Sequence, residues 1–269
     1  MHCLTRRDAI TTDQLSARLA GAPREAARTI LAAAQTGLAD AQVMLGQILL
    51  EGRGIQRDAA LAVRWFRIAR AQGTPMAHNM LGRCLEHGWG CPPNAAAAAN
   101  EYRLAADQGL DWAMYNLANL LATGRGVEQD QAQALELYRR AAALGHAKSM
   151  NLLGRYFEEG LVVAADPAAA LDWYRRAAEA GDFRGQFSYA AVLMGLQRWE
   201  EARHWLIQAL SLGHLAFLRK ARDQLLAARI EPLVDVAQAY VARCAAVGDQ
   251  ADRRIARRLQ ILPSIASSA

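Results

Sequence analysis

Proline is scarce in this chain, with 7 in 269 residues, and long runs of Val and Ile are absent. Alanine is abundant, and that balance favours helix over sheet. The four cysteines, Cys3, Cys84, Cys91 and Cys244, are too few and too scattered for a disulfide framework at this length. Nowhere do eighteen apolar residues run together, so no segment is expected to span a membrane. The opening "MHCLTRRDAITTDQ" has arginines with no apolar stretch behind them, which is not the pattern of a secretory signal. No hydrophobic segment precedes Cys3 to make it a lipidation site. A soluble, reduced, cytoplasmic protein is the expectation.

A strong charge of one sign is missing too. The 31 Lys and Arg against 26 Asp and Glu leave a net charge of +5, and its distribution matters more than its size. Residues 37–213 hold 17 basic and 18 acidic side chains, so the excess sits at the ends. It is densest at Arg253, Arg254, Arg257 and Arg258. A dedicated nucleic-acid binder carries its basic stripe along its main body. Nucleic acid is therefore not the expected main partner.

What the chain does have is a period. Glycines stand at 37, 73, 109, 145 and 181, each thirty-six residues after the last. Between them one pattern is written four times. A small residue comes near the start of a first helix (Ala41, Ala77, Ala113, Ser149), followed by Leu45-Gly46, Leu81-Gly82, Leu117-Ala118 and Leu153-Gly154. A glycine loop comes next: Gly52-x-Gly54, Gly88-x-Gly90, Gly124-x-Gly126, and Gly160 with Val162 in the second place. Asp58, Asn94, Asp130 and Asp166 then cap a second helix, which closes on "WFRIARAQG", "EYRLAADQG", "LYRRAAALG" and "WYRRAAEAG". The glycines end the first helix in left-handed backbone, and the small residues let helices approach closely. One such unit cannot bury its own apolar face, so units must stack.

These A-x-x-x-LG, G-x-G, D-x-x-x-A and WY-x-x-AA-x-x-G elements resemble the Sel1-like repeat, a relative of the tetratricopeptide repeat with a longer loop between its helices. The resemblance implies an all-α fold, a right-handed α–α superhelix (solenoid) of Sel1-like and tetratricopeptide-like hairpins. The expected organisation is an N-terminal helical pair over 1–36 and four repeats over 37–73, 73–109, 109–145 and 145–181. A degenerate tetratricopeptide-like unit over 182–213 has no glycine loop and carries Tyr189-Ala190 in the Leu-Gly place. Capping helices over 214–262 and a disordered tail over 263–269 complete the chain.

Chemistry is harder to find. Cys84, His87 and Cys91 invite a metal reading, but their C-x2-H-x3-C spacing matches no usual pair of ligand clusters. Cys84 also fills the place held by Ile48, Leu120 and Tyr156 in the sister repeats, a core position, so no metal site is expected. The six histidines are dispersed, with no Ser, Cys or Asp beside them in a catalytic arrangement. The loops "GRGIQRD" and "GRGVEQD" lack the lysine of a phosphate loop. The expectation is a protein that is not an enzyme and takes no cofactor and no small-molecule substrate. The recurring Arg67, Arg103, Arg139 and Arg175 follow each aromatic, where an arginine stem covers apolar surface and its head meets a carboxylate.

The first helices carry the better signal. In tetratricopeptide arrays the first helix of each unit lines the concave groove, and the resemblance implies the same here. Two places before and two after each anchoring Leu stand Val43 and Gln47, Asn79 and Arg83, Tyr115 and Asn119, Asn151 and Arg155. Each pair is i,i+4 and shares a helix face. Such a column can hydrogen-bond an extended peptide or clamp a carboxylate, with Trp112 and His87 at its rim. The expected function is a scaffold or adaptor whose groove takes an extended or helical segment of a protein partner. One alternative is nucleic-acid or membrane-surface association through the basic helix of Arg253, Arg254, Arg257 and Arg258. Another is service as the regulatory subunit of an enzyme complex.

Overall fold

The structure, a computed structural model, describes residues 22–261, which are helical with no strand among them. Residues 1–21, which include the expected opening helix, and the expected tail 263–269 lie outside the described residues. α1 (Pro23–Gln35) is followed by the pairs α2 (Ala39–Glu51) with α3 (Ala59–Arg70) and α4 (Pro75–His87) with α5 (Ala95–Asp107). Next come α6 (Asp111–Thr123) with α7 (Gln131–Ala143), and α8 (Ala147–Glu159) with α9 (Pro167–Glu179). The chain continues through α10 (Phe183–Gly195), α11 (Trp199–Leu212) and α12 (Leu215–Ala228). A short 3₁₀ turn (Glu231–Leu233), α13 (Val234–Val247) and α14 (Gln250–Ile261) follow. These helices fall into two compact units, one up to Leu137 and one from Tyr138 onward.

The four glycine loops share one hydrogen-bond scheme. Gly52, Gly88, Gly124 and Gly160 end their helices in left-handed backbone, with φ between 67° and 74°. Six residues later the capping side chain takes over. Asp58 Oδ1 accepts from the Leu61 amide at 2.8 Å, Asn94 Oδ1 from Ala97 at 2.9 Å, and Asp130 Oδ1 from Gln133 at 2.8 Å. Asp166 Oδ1 accepts from Ala168 and Ala169, both at 3.0 Å. The same four residues donate their backbone amides back to the first helix. The acceptors are the carbonyls of Leu49, Leu85, Leu121 and Phe157, at 2.9, 2.7, 3.0 and 2.8 Å. Each loop is thus closed at both ends, and the two helices of a pair leave it at a fixed angle.

In the first unit, the glycine after each anchoring Leu is a docking surface for an aromatic. A Cβ at Gly82 would stand 2.6 Å from the Tyr102 ring, and one at Gly46 closer still to the Phe66 ring. The second glycine of each G-x-G has a different task. A Cβ at Gly54 would overlap the carbonyl of Pro23, one at Gly90 that of Ala59, and one at Gly126 the backbone of Ala95. Those targets are the first residues of α1, α3 and α5, so each loop rests on the start of the second helix of the unit before it. The core of this unit gathers Leu45, Leu49, Val63, Phe66, Leu81 and Cys84, all essentially buried.

In the second unit, Gly154 receives Tyr174 in the same manner. The core runs through Tyr189, Leu193, Leu206, Leu218 and Tyr240, and the Tyr240 hydroxyl donates to the Leu206 carbonyl at 2.8 Å. Val162 takes the place of a glycine with φ of 52°. At the C-terminal end, Asp249 and Asp252 cap α14 reciprocally. Asp249 Oδ1 accepts from the Ala251 amide at 2.8 Å, while the Asp249 amide donates to Asp252 Oδ2 at 3.1 Å. Arg219 and Arg222 on α12 then donate to the Asp252 carboxylate at 2.6 and 2.7 Å, tying α14 down.

Candidate functional site

In the first unit α2 and α4, two successive first helices, flank a cleft of about 260 Å³. Its lining is Gln47, Leu50 and Glu51 from α2, Met80 and Arg83 from α4, and Arg57 and Trp89 from the loops behind them. Gln47 and Arg83 are the two column residues that the period places two after the anchoring Leu, and the fold brings them onto one cavity. The half-buried Arg83 guanidinium stands over the Trp89 ring, 5.1 Å from its centroid, and its Nη1 meets the Met80 sulfur at 3.8 Å. No carboxylate among the described residues lies within ion-pair distance of it. Arg57 is anchored through Nε to the Leu50 carbonyl at 2.9 Å, which leaves the end of its guanidinium to the cavity. Glu51, the acidic residue of the lining, meets Arg53 at 3.5 Å.

The rest of the column divides. Asn79 is buried, at 3 % exposure, and its Oδ1 accepts from Asn116 Nδ2 at 2.9 Å, which joins α4 to α6. It is not offered to a ligand, contrary to the sequence expectation. Val43, in the same place of the first repeat, is buried as well, at 4 % exposure. Tyr115 and Asn119 are half-buried on α6, and Trp112 is exposed. In the second unit, Asn151 is half-buried, with an Oδ1 that has no hydrogen-bond partner among the described residues. Arg155 there is exposed and grips Glu159 through Nε and Nη2 at 2.6 and 3.3 Å.

The ionisable groups near the cleft are tuned by burial. The Cys84 thiol, fully buried, is pushed up to about 12 chiefly by desolvation, which makes it an inert packing group. His87 is held below its ordinary value, first by desolvation and then by the Arg83 charge, so it stays neutral near pH 7. Its ring stacks near Trp89 with centroids 4.7 Å apart. Among the described residues no three His, Cys, Asp or Glu side chains are grouped to hold a metal ion. Nor is any described helix long and apolar enough to cross a membrane.

Two further features belong to the second unit. Leu225, Leu226, Ile230, Leu233, Ala237 and Leu259 line an apolar cavity of about 410 Å³. On α14, Arg253, Arg254, Arg257 and Arg258 are all exposed, and among the described residues only Arg253 of the four makes an internal contact, to the Gly248 carbonyl at 3.5 Å.

Comparison with known proteins supplies the context. The sequence model described as Sel1 repeat matches residues 39–74, 75–110, 113–146, 147–182 and 200–214. A Sel1 repeat protein from Oxalobacter formigenes is similar in structure, with a TM-score of 0.74 at 24 % identity, over 88 % of this chain and 99 % of that one. Immunity protein PA5088 from Pseudomonas aeruginosa gives a TM-score of 0.53 at 18 % identity, covering 86 % and 82 % of the two chains. Immunity protein Pa5087 from the same organism gives 0.53 at 16 % identity, covering 83 % and 81 %. No curated protein matches the sequence. The structural likenesses establish the fold, an all-α solenoid of helical hairpins.

Proposed function

We infer a protein-binding scaffold from one premise: the chain belongs to the Sel1 repeat family, whose repeats are protein–protein interaction modules. The finer reading is that the first-helix face of the first unit receives an extended or helical segment of a partner and that the chain performs no catalysis. The cleft lined by Gln47, Arg57, Arg83 and Trp89 is the observation that supports it. It is concave, it mixes an aromatic with polar groups, and its Gln47 and Arg83 side chains have hydrogen-bonding capacity that the fold leaves unused. Binding sites are built this way, because unsatisfied donors gain most from a ligand that excludes water around them. Docking onto an enzyme as its regulatory subunit is a special case of the same reading.

Panning a random peptide library against the full chain tests it, with a Gln47→Ala/Arg83→Gln variant in parallel. A family of peptides should be enriched on the wild type and lost on the folded variant. Enrichment that is equal on the two proteins, or none above an unrelated helical protein, refutes the reading.

The exposed arginines of α14 favour a second reading, association with an anionic polymer or membrane surface. Its discriminating property is steep salt dependence.

A further inference from the structure

The cleft has a counterpart that shows what it lacks. Arg83 and Arg155 occupy the same place in the second and fourth repeats, seventy-two residues apart. Arg155 is paired internally with Glu159, four residues on, through the Nε and Nη2 edge of its guanidinium. The residue four on from Arg83 is His87. A neutral imidazole offers no negative charge, and no other described carboxylate replaces it. The half-buried guanidinium is left with a sulfur and an aromatic face. Within the cleft, Arg57 and Arg83 bring two positive charges and Glu51 brings one negative, so the lining is one positive charge in excess.

We propose that this cleft is a recognition pocket for the side-chain carboxylate of an acidic residue, Asp or Glu, in the segment that docks on α2 and α4. The inference rests on the scaffold reading and names what the partner must carry. A planar guanidinium fork pairs bidentately with a carboxylate, and stacking on Trp89 holds the fork in place before the partner arrives. Gln47 stands on the opposite helix to donate a further hydrogen bond. The single excess charge suits a carboxylate. A phosphorylated side chain carries about −1.5 to −2 and would meet Glu51 with charge left over. The volume agrees, since 260 Å³ lies below the roughly 300 Å³ at which pockets for drug-sized ligands begin. It accommodates a side chain rather than a cofactor.

The test is a titration of the full chain with three probes: N-acetyl-glutamate α-amide, the matching glutamine α-amide, and N-acetyl-phosphoserine amide. The readout is the indole N–H resonance of Trp89, assigned among the six tryptophans with Trp89→Phe. Glutamate amide should shift this resonance saturably, and glutamine amide should bind at least tenfold more weakly. Arg83→Gln and Arg57→Gln should each weaken glutamate binding at least tenfold. His87→Glu supplies Arg83 with the internal partner that Arg155 has, so it should abolish binding while leaving the melting temperature unchanged or higher. This last variant separates a lost pocket from a damaged fold. The proposal falls if glutamate amide leaves Trp89 unmoved, if glutamine amide binds as well, if His87→Glu binds as the wild type does, or if phosphoserine amide binds more tightly. Peptides enriched by panning that contain no acidic residue would overturn the pocket and leave the scaffold reading standing.

Discussion

A glycine in this chain does one of three things, and its environment says which. Gly82 sits in ordinary helical backbone against the Tyr102 ring, so Gly82→Ala drives a methyl into a packed aromatic. Overpacking of this kind costs about 1–3 kcal/mol. Gly73 has φ of 78° with open space around it, so Gly73→Ala costs only the left-handed conformation, about 1 kcal/mol. Denaturant unfolding of the two variants should rank them in that order. Val162 is the converse case. It holds φ of 52° with a β-branched side chain, so Val162→Gly should stabilise the chain by about 1 kcal/mol, less the backbone entropy that glycine adds. The second residue of a pair was harder to read than the glycines. Periodicity shows that Asn79 and Arg83 share a face, but it does not show that α6 covers the nearer of them. Val43, apolar in the slot that Asn79 repeats, was the available warning. Trp89 and Arg57 lie in loops, outside the helical periodicity that marks the column. Yet Trp89 stands where the sister loops have Arg53 and Arg125, and that departure from the pattern was legible.

At the scale of the helix pair, departures come in matched sets. The aromatic that docks on the first helix is Phe66 opposite Leu50, Tyr102 opposite Glu86, and Tyr174 opposite Glu158. In these two tyrosine cases a carboxylate receives the hydroxyl: Tyr102 donates to Glu86 Oε2 at 2.6 Å and Tyr174 to Glu158 Oε2 at 2.5 Å. Arg125 from the next loop also pairs with Glu86. Tyr174→Phe should cost about 1 kcal/mol, the net worth of one hydrogen bond, in thermal or urea unfolding. Glu158→Leu beside an unchanged Tyr174 should cost more, because it strands a buried hydroxyl. The α14 anchor makes a prediction about pH. Arg219 and Arg222 hold the Asp252 carboxyl at about 2, below its ordinary 3.8. A carboxylate whose folded value is depressed stabilises fully above its unfolded value. That stabilisation is lost as the pH falls from about 5 through 2. Asp252→Asn should therefore destabilise the chain at pH 7 by about 1–2 kcal/mol and flatten its acid unfolding over that window. The caps, loop glycines and pairing of helices were all readable in advance, because they are set by residues within a few positions of one another. The Arg219–Asp252 contact spans thirty-three residues in a region with no period to announce it.

Over the whole molecule, charge and repeat tell different stories. The repeats are nearly neutral, and four exposed arginines stand within six residues on α14. Arg254→Gln/Arg257→Gln/Arg258→Gln lowers the formal net charge from +5 to +2 without touching a described ion pair. If α14 holds polyanions, three phosphate contacts imply a roughly fortyfold loss of duplex-DNA affinity between about 50 and 200 mM salt, and the triple variant should lose that salt dependence. A mobility-shift titration at several salt concentrations decides it. The repeat, by contrast, specifies the fold almost completely and the function very little. The recurring glycines, capping residues and docked aromatics are occupied with caps, loops or packing. The cleft is lined by Gln47, Arg57, Arg83 and Trp89, and at none of these four places is one residue kept through all four repeats. If the cleft is the recognition site proposed above, recognition lies in the places where the repeats vary.

The loop glycines that lie on the preceding helix give the array a direction of growth. Gly54, Gly90 and Gly126 each need a floor supplied by residues thirty-one positions earlier, Pro23, Ala59 and Ala95. None of these three loops waits for a surface that comes later in the chain. During synthesis each new hairpin of the first unit therefore meets a finished neighbour as it leaves the ribosome, and folding can keep pace with translation. Shortening the chain from the two ends is then unequal: a cut after a loop leaves its floor in place, whereas a cut before it takes the floor away.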